Sequence, residues 1–164
     1  MWFEVEPAEI GFLESSRFRI ENGAIINASP ERVFRILSEG EGMGEWFQDF
    51  VACRWTSPDP HGAGSTREVE LKAMAVKERF LVWEPGERLV FTITAMKLPL
   101  VTRMVEDMRL ERLGDRTRLR WSVHYTPSLL MRPVHPIAHA FFEKMFAMTT
   151  GGLTSYATRH PTAP

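Results

Sequence analysis

PIAHAFFEKMFAMTTGGLTSYAT, residues 136–158, reads as one helix in which Glu143 and Lys144 are the only charged residues before Arg159. A helix with so little polar surface does not rest stably on the outside of a protein, so other elements must cover most of it. The segments before it alternate apolar and polar residues, which predicts a sheet wrapped around the helix. Phe, Met, Thr and the Gly151-Gly152 pair fill space less tightly than Leu and Ile would, so the wrapped helix is expected to leave a cavity.

The rest of the chain frames that expectation. Its 164 residues, 44% of them hydrophobic, suit one globular domain with a substantial core. The formal net charge is −1, and basic residues are interspersed with acids, as in Arg109-Leu110-Glu111-Arg112. Nucleic acid is therefore not an expected partner, because phosphate binding needs a clustered basic face. A single cysteine, Cys53, excludes an intramolecular disulfide and fits a cytoplasmic location. The first 16 residues are acidic and lack a continuous apolar run, so neither a signal peptide nor stable membrane insertion is expected.

Residues 1–16 carry Trp2, Phe3, Ile10, Phe12 and Leu13 without a clean period and read as an extension packed on the domain or on a second subunit. Residues 17–27 alternate as a first strand. Ser29-Pro30-Glu31 then starts a helix with a hydroxyl cap, proline at the first position and an acid in the first turn. Glycines 40, 42 and 44 interrupt it, and Met43, Trp46 and Phe47 indicate a second short helix. From residue 50 to 125 the period becomes two, with turns at 57–62, 84–87, 98–99 and 114–115. The clearest hairpins pair 76–83 with 88–94 and 102–113 with 116–125. Connections this short require antiparallel neighbours. The expected fold is α+β: seven antiparallel strands, two short helices between the first and second, and the long C-terminal helix. The domain is expected over 17–158, with a tail at 159–164.

That order, with INASPERVFRIL (26–37), GEWFQDF (44–50), GAGSTREV (62–69), KERFLVWEPGERLVF (77–91), GDRTRLRWSV (114–123) and GGLTSYA (151–157), resembles the SRPBCC or START-like superfamily, which includes polyketide cyclase/dehydrase-related and lipid-transport proteins. The resemblance spans 17–158. It implies a helix-grip fold, in which a curved antiparallel sheet wraps the C-terminal helix around a hydrophobic ligand cavity, and it implies no universal catalytic motif.

Strand alternation nominates the cavity walls. Trp121, Val123 and Tyr125 share the inner face of the last strand with Leu119, which leaves Arg118, Arg120, Ser122 and His124 outward. Met104 and Met108 carry Glu106 inward, and Val69 and Leu71 carry Arg67. In the strand at 76–83, Val76, Phe80 and Val82 bring Glu78 inside, whereas Leu81 and Trp83 would bring in Arg79; the first choice is preferred. Phe91 on the paired strand and Phe141, Met145, Met148, Thr149 and Gly152 on the helix complete the expected ligand contacts. Tyr156 and Thr150 add hydroxyls, and several of the nine methionines fall on these elements.

Buried charges need partners, so Arg67, Glu78 and Glu106 either pair with one another or meet a ligand, Arg67 holding a carboxylate or carbonyl. A carboxylate of raised pKa would be a general base, making Glu78, Glu106 and His124 the acid/base candidates. His135, His139 and Glu143 stand at i, i+4 and i+8, but no further ligand cluster accompanies them, and neither a metal nor another cofactor is expected. Glycines 40–44 lack the features of a phosphate loop and read as turns or as a mobile lid; ligand access is expected past them and past residues 98–101. The expected activity is binding or transport of a small hydrophobic or amphipathic molecule (a lipid, polyketide-like or aromatic compound) by a monomer or homodimer. The alternatives are a cyclase/dehydratase-like enzyme using the same cavity, and an interaction or stress-response module with a filled core and an exposed patch formed by Trp2, Phe3 and Phe12.

Overall fold

The computed structural model describes residues 1–161; part of the expected tail, residues 162–164, lies outside them. In chain order the elements are β1 (Phe3–Glu4), α1 (Phe12–Ser15), β2 (Phe18–Ile26), α2 (Pro30–Glu39), α3 (Met43–Trp46), β3 (Phe50–Trp55), β4 (Thr66–Leu71), β5 (Ala75–Glu84), β6 (Arg88–Met96), β7 (Val101–Leu113), β8 (Arg116–Pro127) and α4 (His135–Arg159). Strands β2 to β8 form one antiparallel sheet in the order β2-β8-β7-β6-β5-β4-β3, so β2 and β3, neighbours in sequence, occupy opposite edges and α2 and α3 span the gap between them. The α2 cap is as read: the Ser29 hydroxyl accepts from the Arg32 amide, Pro30 opens the helix, and Gly40 closes it in the left-handed region.

The sheet has an eighth strand. Beyond Thr92 the β6–β7 pairing ends, and β1 occupies the opening, with Phe3 opposite Met96 and Glu4 opposite Ala95. The Val5 amide donates to Thr94 O and the Glu6 amide to Thr102 O. The extension thus packs on its own domain. Its remaining residues cover the outer face of the sheet, where Ala8, Phe12 and Leu13 join Leu81, Val82, Val90 and Val105 in a second small core. With both faces covered, β6 is buried almost throughout. Trp2 lies against Lys77 and Lys97 and Phe12 packs on the outer core, whereas Phe3 is 36% exposed, so the three do not form one exposed patch of the kind expected of an interaction module.

Strand β5 resolves the choice over Glu78. The pairing with β6 shifts between Phe80 and Val82. Val76, Glu78 and Phe80 face the main core before this bulge; after it Trp83 faces the core and Val82 turns to the outer one. One extra residue inverts the alternation, which is why both readings of the sequence fitted part of the strand.

Helix α4 is gripped along one side only. Phe146, Thr149, Thr150, Leu153, Tyr156 and Ala157 are buried, whereas Ile137, Phe141 and Met148 are exposed. The expectation that most of the helix would be covered is corrected here: the sheet and α3 reach its C-terminal half, and the outer stripe of its N-terminal half faces outward.

Candidate functional site

Between the concave face of the sheet, α3 and α4 lies a cavity of about 90 Å³. That volume holds roughly six to nine waters and is smaller than the roughly 150 Å³ that takes a single benzene ring, so a ring-sized guest needs the wall to give way. Its walls are almost wholly apolar, with Arg67, Glu78 and Glu106 as the charged exceptions. Methionine lines it heavily: Met43, Met74, Met96, Met104, Met108 and Met145 all contribute. Thioether side chains adapt to irregular shapes, so the wall is deformable.

Strand register brings the three charged groups together. Arg67 stands opposite Glu78 across β4 and β5, and Glu106 stands opposite Phe91 across β6 and β7. Arg67 Nε donates to Glu78 Oε2 at 2.6 Å, and Nη1 donates to Ser38 O at 3.0 Å. The guanidinium therefore sits on carbonyls in the last turn of α2, where the helix dipole favours a cation. The Phe80 ring lies 4.9 Å from its Cζ, with Trp55 and Phe91 beyond. Arg67 thus has protein partners at Nε and Nη1, as the pairing alternative describes, whereas Nη2 has no hydrogen-bond partner among the described residues.

Glu106 is different. Trp121 Nε1 donates to its Oε2 at 2.8 Å, and among the described residues it has no other hydrogen-bond partner. Burial, reinforced by the nearby Glu78 carboxylate, pushes its pKa up to about 8. At neutral pH Glu106 is a carboxylic acid, and its unbonded oxygen makes it a hydrogen-bond donor in an apolar cavity.

The cavity brings together Arg67, Val69, Leu71, Glu78, Phe91, Met104, Glu106, Met108, Trp121, Val123, Tyr125 and Met145 from the residues expected by alternation. Six others lie elsewhere. Phe80 is buried behind Arg67, packed edge-on against Phe91 and Trp83. Phe141 and Met148 point outward on α4. Thr149 is buried but donates its hydroxyl to Met145 O. Gly152 meets α3: a Cβ there would stand 2.3 Å from Trp46 O, so its smoothness serves helix packing. His124 lies on the outer face, covered by the amino-terminal segment, with Nδ1 2.7 Å from Ser16 Oγ, and burial lowers its pKa. It cannot be an acid or base in the cavity.

Residues that sequence reasoning missed include Phe142 and Phe146 on α4, and Trp46 and Phe47 on the α3 side. The apolar cluster 43–47 carried the signal for the latter, since a short helix that apolar must face a core.

The access expected at residues 40–44 meets a fastened segment. The Glu41 carboxylate accepts two bonds from the Arg32 guanidinium, at 2.5 and 2.7 Å, and one from Tyr156 Oη at 2.9 Å, while Trp46 Nε1 donates to Glu41 O. Arg32 holds the Glu41 carboxyl below the usual carboxylate range. Residues 98–101 are tied too, with the Ser128 hydroxyl donating to Pro99 O. At the same end Tyr125 Oη lies 2.8 Å from His135 Nε2 and 2.7 Å from His139 Nδ1. The two imidazoles thus converge on a phenol, and among the described residues no group of three or more His, Cys, Asp or Glu side chains could hold a metal ion.

Residues 17–158 match the family model described as polyketide cyclase / dehydrase and lipid transport. The chain belongs to that family. An uncharacterized protein of Mycobacterium tuberculosis is 29% identical over 140 residues, covering 85% of this chain and 82% of its own. Among solved structures, the Zhui aromatase/cyclase of a Streptomyces species superposes with TM-score 0.73 at 16% identity, over 89% of this chain and 96% of that one. A major latex-like protein of Panax ginseng gives 0.66 at 10% identity, over 85% and 96%. A protein of Thermus thermophilus gives 0.73 at 15%, over 88% and 100%. These likenesses establish the helix-grip fold of the family member described here. No helix is long and apolar enough to cross a membrane among the described residues.

Proposed function

We propose that this family member binds a small, mostly apolar molecule bearing one hydrogen-bond acceptor, such as an aromatic or alicyclic ketone, in the cavity under α4. The observation that carries the reading is a carboxylic acid, Glu106, standing with an unused oxygen among apolar walls. Arg67, which the sequence nominated as a ligand anchor, has Nε committed to Glu78 and Nη1 to the α2 carbonyls, so the leading orienting role is assigned to Glu106.

Burial of roughly 200 Å² of apolar ligand surface contributes about 5 kcal/mol at 25 cal/mol per Å². A hydrogen bond from Glu106 adds about 1 kcal/mol. The sum corresponds to dissociation constants of roughly 10–100 μM for a ligand that fits without wall movement. Ring-sized and longer ligands require the methionine wall to yield.

Native mass spectrometry of freshly purified protein, followed by solvent extraction, identifies what the cavity retains. In a calorimetric panel of ring ketones and their hydrocarbon counterparts, wild type should prefer the ketones, and Glu106→Leu should lose that preference while keeping affinity for the hydrocarbons. Equal loss for both classes would refute the assigned role.

One observation favours a second reading, that of a cyclase- or dehydratase-like enzyme. A carboxyl group with a pKa of about 8 suits general acid and base work near neutral pH. Turnover with a bell-shaped or sigmoidal pH profile that vanishes in Glu106→Gln, with binding retained, would select it over simple carriage.

A further inference from the structure

Four of the five most exposed large apolar side chains among the described residues lie close together in sequence. Leu129 (72% exposed), Leu130 (75%), Val134 (47%), Ile137 (77%) and Phe141 (64%) lie within thirteen residues. Val134, Ile137 and Phe141 follow one another at i, i+3 and i+7, a single stripe along the start of α4, and Lys144 and Met148 continue it. Leu129 and Leu130 precede it in the connection from β8. This concentration has no structural role within the chain, since none of these side chains joins either core.

Its electrostatic setting is one-sided. Between Asp115 and Glu143 the sequence contains no acidic residue. Beside the stripe, Arg17, Phe18, Thr126, Pro127, Arg132 and His135 line a surface cleft of about 340 Å³. Neither Arg17 nor Arg132 forms an ion pair among the described residues, although most other arginines do. Two free guanidiniums at a cleft of that size suit a phosphate group, for which arginine's planar fork is well matched.

We propose that this end of the molecule docks peripherally on the surface of an anionic phospholipid bilayer. The leucines and the α4 stripe enter the boundary between headgroups and acyl chains, and Arg17 and Arg132 engage lipid phosphates. A second copy of the chain fits this face poorly. A two-fold pairing would set the same arginines and Lys144 against each other, and Glu143, the acid on this part of α4, is turned to His139 at 3.3 Å. An anionic surface satisfies both the apolar and the cationic parts. The docking face adjoins the cavity: Ser128, next to Leu129, is bonded to Pro99 and Leu100, and Leu100 and Val101 are part of the cavity wall.

The test is cosedimentation of the full chain with vesicles of phosphatidylcholine alone and of phosphatidylcholine with phosphatidylglycerol, at about 0.1 and 0.5 M NaCl, together with sedimentation velocity. Binding should require the anionic lipid and weaken at high salt. Arg17→Ala/Arg132→Ala should reduce partitioning about thirty-fold, and Leu130→Asp/Ile137→Asp by more than about ten-fold. All four positions are at least partly exposed, and unchanged melting temperatures would show that the variants fold. Failure to bind anionic vesicles, or equal binding to both vesicle types at both salts, would overturn the proposal. So would a concentration-dependent dimer that Leu130→Asp dissolves in protein that ignores vesicles. None of these readouts depends on the cavity's ligand.

Discussion

Glu106 couples the cavity to proton concentration. Below about pH 4.5 both folded and unfolded chains hold its proton, so its titration adds nothing to the difference between them. As pH rises from there to about 8 the unfolded chain releases the proton and the folded chain does not, so stability falls through that window and levels off above it. The effect is on the order of 5 kcal/mol in total. Urea denaturation of wild type and Glu106→Gln should show the variant gaining on wild type steadily between pH 5 and 8. Parallel curves would show that Glu106 ionises freely in the folded protein. Arg67 and Glu78 make a different prediction, because each neutralises the other inside the core. Arg67→Met should cost about 3–5 kcal/mol by stranding Glu78, and adding Glu78→Leu should recover most of that loss, as measured by the denaturation midpoint.

At the scale of elements, the two adjacent glycines of α4 have opposite environments. A Cβ at Gly151 meets nothing within 4 Å, whereas one at Gly152 collides with the α3 backbone at Trp46. Gly151→Ala should therefore stabilise by about 0.5–1 kcal/mol through helix propensity, and Gly152→Ala should destabilise by about 1–3 kcal/mol or more by forcing α3 off α4. Thermal melts of the two single variants test both signs. The hairpins, the capped α2, the break at the glycines and the inward faces of β4, β7 and β8 could be read from residue spacing, because turn residues punctuate the chain and polar side chains alternate with apolar ones along these strands. The phase of α4 could not, since a helix apolar all round gives no asymmetry from which to choose Phe142 over Phe141. Lys144, which shares a stripe with Phe141 and Met148, and the neighbouring Glu143 were its legible markers. In β5 the bulge at Leu81 defeated any single alternation, and β6 hid its inner face because an unperiodic N-terminal segment covers the other. Glu106 was legible as an inward carboxyl; that it, rather than Arg67, stays unpaired follows from distances that strand pairing across four elements fixes.

For the molecule as a whole, residues 1–16 belong to the packing of the sheet. Val5 and Ala8 are buried, and the Ala8 amide donates to the Thr92 hydroxyl. Deleting residues 1–16 should uncover Val90 and Val105, leave the ends of β6 and β7 unpaired, and lower the melting temperature by well over 5 °C. Calorimetry of the truncated chain checks this, and an unchanged transition would mean that the segment merely rests on the surface. The pairing of β2 with β8 has a further consequence. Phe18 faces Tyr125 across roughly a hundred intervening residues, and β1 waits almost as long for Met96. During synthesis β1 and β2 emerge from the ribosome long before β6 and β8 and remain without their partners meanwhile, so the curved sheet closes only after β8 has emerged, and nascent molecules expose a ready strand edge to their neighbours until then.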